Sequence, residues 1–191
     1  MKTGCRFPAL ILSAVVPLTF ATSATALSNV SASPSTLATP PFPPLIAKVR
    51  AATERYKDVN VALAEGFVPA TPCVSGPDFG AMGVHFLLPS RLASGVLSAD
   101  QPQALIYEPQ PGGSLRLVAV EFIVLAGTWE KLHHGSGPPA LDGHLMNFVD
   151  APNRFGLDAF YELHVWAWQR NPVGSFADWN AHVSCDQQPI G

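Results

Sequence analysis

Charge is scarce in this sequence and nowhere concentrated: Asp, Glu, Lys and Arg make up 13% of 191 residues, with 11 basic side chains against 14 acidic ones. No basic run occurs, so the electrostatic footprint of a nucleic-acid-binding surface is missing and nucleic acid is not an expected partner. Short catalytic signatures are missing too. There is no G-x-S-x-G, phosphate loop, dinucleotide fingerprint, C-x-x-C or H-E-x-x-H, which leaves nucleotide chemistry, an α/β-hydrolase and a thioredoxin-like site without support. No internal repeat is present, and only one apolar run invites comparison with a membrane segment.

That run, Leu10 to Phe20, follows Lys2 and Arg6 and precedes Ala24-Thr25-Ala26. It is short and rich in small residues, and the three features together read as a signal peptide over residues 1–26 with an A-x-A cleavage site. The expected location is therefore secreted or periplasmic, with no stable membrane anchor after cleavage. Cys5 precedes the apolar run, which excludes a lipoprotein reading. Cleavage leaves 9 basic against 14 acidic residues, and Cys73 and Cys185 as the two cysteines. In an oxidising compartment these are expected to form one disulfide, which disfavours thiol catalysis.

Residues 27–44 are rich in Ser, Thr and Pro and read as an extended leader. A single globular domain is expected over 45–191. Its first element is an amphipathic helix, with Leu45, Val49, Ala52, Tyr56, Val59 and Leu63 on one face, Pro43-Pro44 at its start and Gly66 at its end.

Strands follow. Ala81 to Leu88 alternates, placing His85 opposite Met82, Val84 and Phe86, and Gly83 within it signals close approach of a ring or a ligand. Gln103–Glu108 and Ser114–Leu125 flank Pro109 to Gly113 as a hairpin, and the second of these strands is apolar on both faces, as a central strand is. Glu121 interrupts it, sharing a face with Leu117, Ala119 and Ile123. From Ala126 to Asp158 no period is sustained, which predicts a functional covering loop. Tyr161 to Trp168 alternates again before the turn at Asn171-Pro172, with Glu162, His164, Trp166 and Trp168 on one face. The expected fold is α+β, with the N-terminal helix packed on a mostly antiparallel, curled sheet.

His85, Glu121 and His164 each lie within an apolar strand. An ionised carboxylate there needs a cation, a metal or good donors. Two imidazoles and a carboxylate converging from three strands would bind a divalent metal such as zinc or copper, with Glu121 the carboxylate expected to act in catalysis as well. His144, from the long loop, is the candidate fourth ligand. His133-His134 and the carboxylates Glu108 and Glu162, near strand ends, read as exposed. Three alternatives stay open. One is a structural network in which Glu121 accepts from a histidine. Another is a metal-free module binding a small molecule in a pocket walled by Trp166, Trp168 and Trp179. The last is a structural or inhibitory partner protein, with no pocket and a large exposed apolar patch.

Met82-Gly83-Val84-His85-Phe86, the paired runs Ala104–Glu108 and Leu117–Phe122, and Leu163-His164-Val165-Trp166 with Asn171-Pro172, Gly174, Phe176, Trp179-Asn180 and Val183-Ser184-Cys185 together resemble a family of exported bacterial proteins of unknown function. The likeness runs from the helix to Cys185. It implies that these motifs belong together, and it assigns no activity.

Overall fold

The computed structural model describes residues 43–188. The reading of residues 1–26 as a signal peptide lies outside them, as does nearly all of the leader.

The chain opens with α1 (Pro44–Thr53), whose Pro44 occupies the first helical turn and whose Leu45, Ile46, Val49 and Thr53 are buried. The expected single helix is broken. A short 3-10 turn (Glu54–Lys57) follows, and a separate α2 (Val59–Ala64) begins after Asp58. Asp58 causes the break: its carboxylate accepts the backbone N–H of Asn60 at 2.9 Å, a local bond that competes with helix continuation. The Tyr56 carbonyl is then left for the Tyr107 hydroxyl, which donates to it at 2.7 Å. The second segment is rotated accordingly, with Ala62 buried and Leu63 46% exposed.

Nine strands follow in chain order: β1 (Val68–Pro69), β2 (Val74–Gly76), β3 (Gly80–Leu87), β4 (Ala104–Pro109), β5 (Leu115–Leu125), β6 (Ala140–Leu141), β7 (His144–Leu145), β8 (Asn147–Val149) and β9 (Phe160–Val165). The main sheet runs β1-β3-β4-β5-β9-β8 with β2 also paired to β3, and every pairing is antiparallel. Thus the fold is α+β. Helix α3 (Pro89–Ser94) joins β3 to β4, and the unpatterned 126–158 region resolves into α4 (Ala126–Leu132), the β6–β7 ribbon and β8.

One face of the sheet, with Phe86, Leu105, Val120, Phe122, Val124, Leu163 and Val165, packs against the helices in the main core. The opposite face has two smaller apolar clusters, one around Ile106, Ala119 and Trp166, the other around Ala104, Ile123 and Phe160. Val183 and Cys185 of the C-terminal segment pack on the first of these clusters, and Leu92 of α3 with Phe155 and Leu157 of the segment before β9 on the second.

Two sequence expectations fail at sheet irregularities. The β4–β5 register shifts between Ile106 and Tyr107, so that Ala119 pairs with Ile106 but Leu117 with Tyr107. The bulge at Val118 turns Leu117 to the helix-side core instead of the face of Glu121. Likewise β9 ends at Val165, where Ala167 N–H bonds back to the Val165 carbonyl. Trp168 crosses to the helices, its indole N–H donating to Thr53 Oγ1 at 3.1 Å. The tryptophans consequently wall no common pocket.

Cys73 and Cys185 are joined, 112 residues apart. On the chain-entropy account a loop of that size contributes about 5 kcal/mol. Among the described residues no helix is long and apolar enough to cross a membrane.

Candidate metal centre

The second face of the sheet is where β3, β4, β5 and β9 bring the ionisable groups together. Glu121 lies directly opposite His164 across the β5–β9 ladder, and Ala104 lies opposite Glu121 on the other side. His85 pairs with Ile106, two residues along β4 from Ala104 and on the same face. Small Ala104 therefore separates His85 from Glu121, and the two side chains meet over it. His85 Nε2 comes within 3.5 Å of Glu121 Oε2. The two imidazole rings stand edge to face with centroids 5.9 Å apart. Ligand atoms of His85, Glu121 and His164 all lie within 4.8 Å of one another, and all three residues are buried.

A second triad shares one member with the first: ligand atoms of Glu162, His164 and Asp178 also lie within 4.8 Å of one another. Glu162 was expected to be exposed at a strand end but is buried, 4% exposed. Period-two alternation from His164 held the signal, since it places Glu162 on the same face. Asp178 gave no signal. It comes from the irregular segment after β9, and its Oδ1 lies 3.8 Å from His164 Nδ1 while accepting Asn147 Nδ2 at 3.3 Å.

The motif residues of that segment hold it in place. Asn171 Nδ2 donates to the Trp179 carbonyl at 2.8 Å and Asn180 Nδ2 to the Arg170 carbonyl at 3.3 Å. Trp166 Nε1 donates to the Ala177 carbonyl at 2.5 Å, next to Asp178. Glu108, also expected to be exposed, is buried: it pairs with Arg116 and accepts Ser184 N–H at 3.0 Å, fastening the end of the segment beside the disulfide.

Burial dominates the electrostatics. It pushes His85 down to about 4, and it pushes His164 down to about 3 with the neighbouring His85 adding to the effect. Both rings are neutral at pH 7. Burial raises Glu121 well above the ordinary carboxylate range, reinforced by the charge of Glu162 and a hydrogen bond given to it. Burial raises Glu162 too, opposed by that same hydrogen bond from Glu121. Asp178 is raised by burial against the bond from Asn147.

Polar atoms here are left unsatisfied. Among the described residues, five buried side-chain nitrogen or oxygen atoms lack a hydrogen-bond partner, and four of them are His85 Nε2, Glu162 Oε2 and both ring nitrogens of His164. Each such group costs about 1–3 kcal/mol when left unpaired. Only His85 Nδ1 is placed, 3.3 Å from Thr71 Oγ1. That contact orients the ring with Nε2 toward Glu121, as outer hydrogen bonds orient metal-binding histidines. Neutral imidazoles with free lone pairs beside carboxylates fit a divalent ion of borderline softness.

A cavity of about 30 Å³ opens beside His85 and Glu121, walled by Ala70, Thr71, Leu87, Phe155, Leu157 and Phe160. Phenylalanines and not tryptophans line it. Part of the predicted covering loop does cover the site, through Phe155, whose ring lies 5.9 Å from that of His85. His144 is not in either triad. It stands in the β6–β7 ribbon with its ring 3.8 Å from that of Phe176. His133 stacks on Trp129 at 3.8 Å and the His134 side chain is 81% exposed. Gly83 is approached by the neighbouring strand and not by a ligand: a Cβ there would lie 2.7 Å from the Tyr107 carbonyl oxygen, and φ is +117°.

Comparison of the chain with protein-family models, with curated proteins and with solved structures gives no match.

Proposed function

We propose that this chain is an exported metal-binding domain in which His85, His164 and Glu121 hold a divalent ion, zinc or copper, and that the ion serves chemistry on a small molecule. One observation carries the reading: four unpaired buried polar atoms converge in a single apolar enclosure, an arrangement a folded protein rarely leaves without a ligand. Nitrogen and carboxylate donors together suit zinc or copper. Export is supported by the sequence pattern of residues 1–26 and by the disulfide.

The cavity beside His85 sets the scale of what reaches the centre. At about 30 Å³ it has room for a water molecule or a ligand of similar size. Glu121 faces this cavity, and in this reading it exchanges a proton with a molecule held there.

Elemental analysis of untagged, oxidised protein tests the proposal. Wild type is expected to carry stoichiometric divalent metal that the His85→Ala/His164→Ala variant loses. Absence of metal from wild type after incubation with zinc and with copper ends the reading.

A further inference from the structure

The donors on this face outnumber the needs of one ion. A three-residue site with an open position accounts for His85, Glu121 and His164, and leaves Glu162 and Asp178 beside it. Glu162 is 4% exposed with Oε2 unpaired, and Asp178 is turned toward the nitrogen of His164 at 3.8 Å. His164 is wholly buried and has no partner at either ring nitrogen. A single ion engages one of those nitrogens, and the other faces Asp178 Oδ1 at 3.8 Å, beyond hydrogen-bond length, with Glu162 beside it.

We infer that the centre is dinuclear: a second divalent ion sits between Glu162, Asp178 and His164, with the His164 ring shared by the two ions. This rests on the metal-binding reading above and extends it. Nδ1, which faces Asp178, serves the second position, and Nε2 is left for the position of His85 and Glu121. Binding through both nitrogens releases the ring N–H proton to solvent and converts the imidazole to imidazolate.

The charge balance allows this arrangement: beside one divalent cation the three carboxyl groups reach neutrality by keeping one proton, and a second cation takes the place of that proton. Three carboxylates and one imidazolate against two divalent cations sum to zero. The arrangement also explains why the segment after β9 is fastened so firmly at Asn171, Asn180 and Trp166: it delivers Asp178, the one ligand that the sheet does not supply.

The full oxidised chain, stripped with chelator and dialysed against zinc, is expected to retain two zinc ions per chain. Glu162→Gln/Asp178→Asn, close in shape to the native side chains, is expected to retain one. Loading with copper(II) gives a second readout, since an imidazolate bridge couples the two spins. The wild-type electron paramagnetic resonance signal is expected to integrate to well under half of the copper present, and that of the double variant to all of it. One zinc per chain in wild type, or a full uncoupled copper signal from it, overturns the dinuclear centre and leaves the mononuclear one standing. No zinc and no copper in wild type overturns both.

Discussion

His164 is surrounded by protein on all sides, 0% exposed, and makes no hydrogen bond through either ring nitrogen. Such a residue weakens a metal-free fold. Replacing it by leucine, of comparable bulk, removes the unpaired polar atoms, and His164→Leu is expected to raise the stability of the chelated protein by about 1–3 kcal/mol while abolishing metal retention. Urea unfolding in chelator, with metal analysis of the same sample, checks both halves; a less stable variant shows that the imidazole is satisfied in the metal-free state. The sequence disclosed His164, His85 and Glu121 because an ionisable side chain inside an apolar strand contradicts its surroundings. Glu162 was equally legible by alternation from His164, but its place near the start of a strand suggested solvent. Asp178 was not legible at all, because an irregular segment has no period from which to infer a facing direction.

Elements show where local chemistry overrides pattern. The β3–β4–β5–β9 arrangement follows from alternation and from the Pro-Gly-Gly turn, and the positions of the principal strands were legible on that basis. The bulge at Val118 and the early end of β9 were not, because each depends on a tertiary partner: the shifted β4 register, and the Val118 carbonyl that accepts both Trp168 and Gln169 N–H. The helix break at Asp58 is local, its carboxylate accepting Asn60 N–H, and the apolar period running through it masked it. Gly83 shows the same limit. Its meaning as a close-approach residue was visible, but what approaches is the β4 backbone. Gly83→Ala adds a Cβ 2.7 Å from the Tyr107 carbonyl oxygen at φ +117°, and is expected to cost about 2–3 kcal/mol from left-handed strain and displaced backbone. A lowered urea midpoint measures it, and an unchanged midpoint removes the packing role assigned to this glycine.

At the scale of the whole molecule the buried groups make stability depend on pH from both sides. His85 and His164 are held down to about 4 and about 3, so the unfolded chain takes up their protons first, and stability falls as pH drops below about 6.5 toward those values. Glu121 and Glu162 are raised by burial; the folded state keeps protons that the unfolded state has released, and stability falls as pH rises from about 4.5 through their folded values. Metal-free protein is therefore expected to be most stable in mildly acidic solution and to lose stability toward both ends. Bound metal holds the carboxylates ionised and keeps the imidazoles from taking up a second proton, which removes the alkaline decline. Melting temperatures recorded from pH 4 to 9 with chelator and with zinc test this; a metal-free profile that climbs steadily to pH 9 would contradict the protonated state of the acid pair.

The crossover after β9 also provides two spectroscopic windows two residues apart. Trp166 lies against the face of His164, with ring centroids 6.4 Å apart, whereas Trp168 sits among the helices between Arg50 and Lys57. Paramagnetic copper near His164 quenches emission steeply with distance, so chains retaining only one of these indoles would report separately on filling of the interior and on loosening of the outer layer. Two indoles separated by a single residue thereby become independent optical channels, each reading a different side of the same sheet.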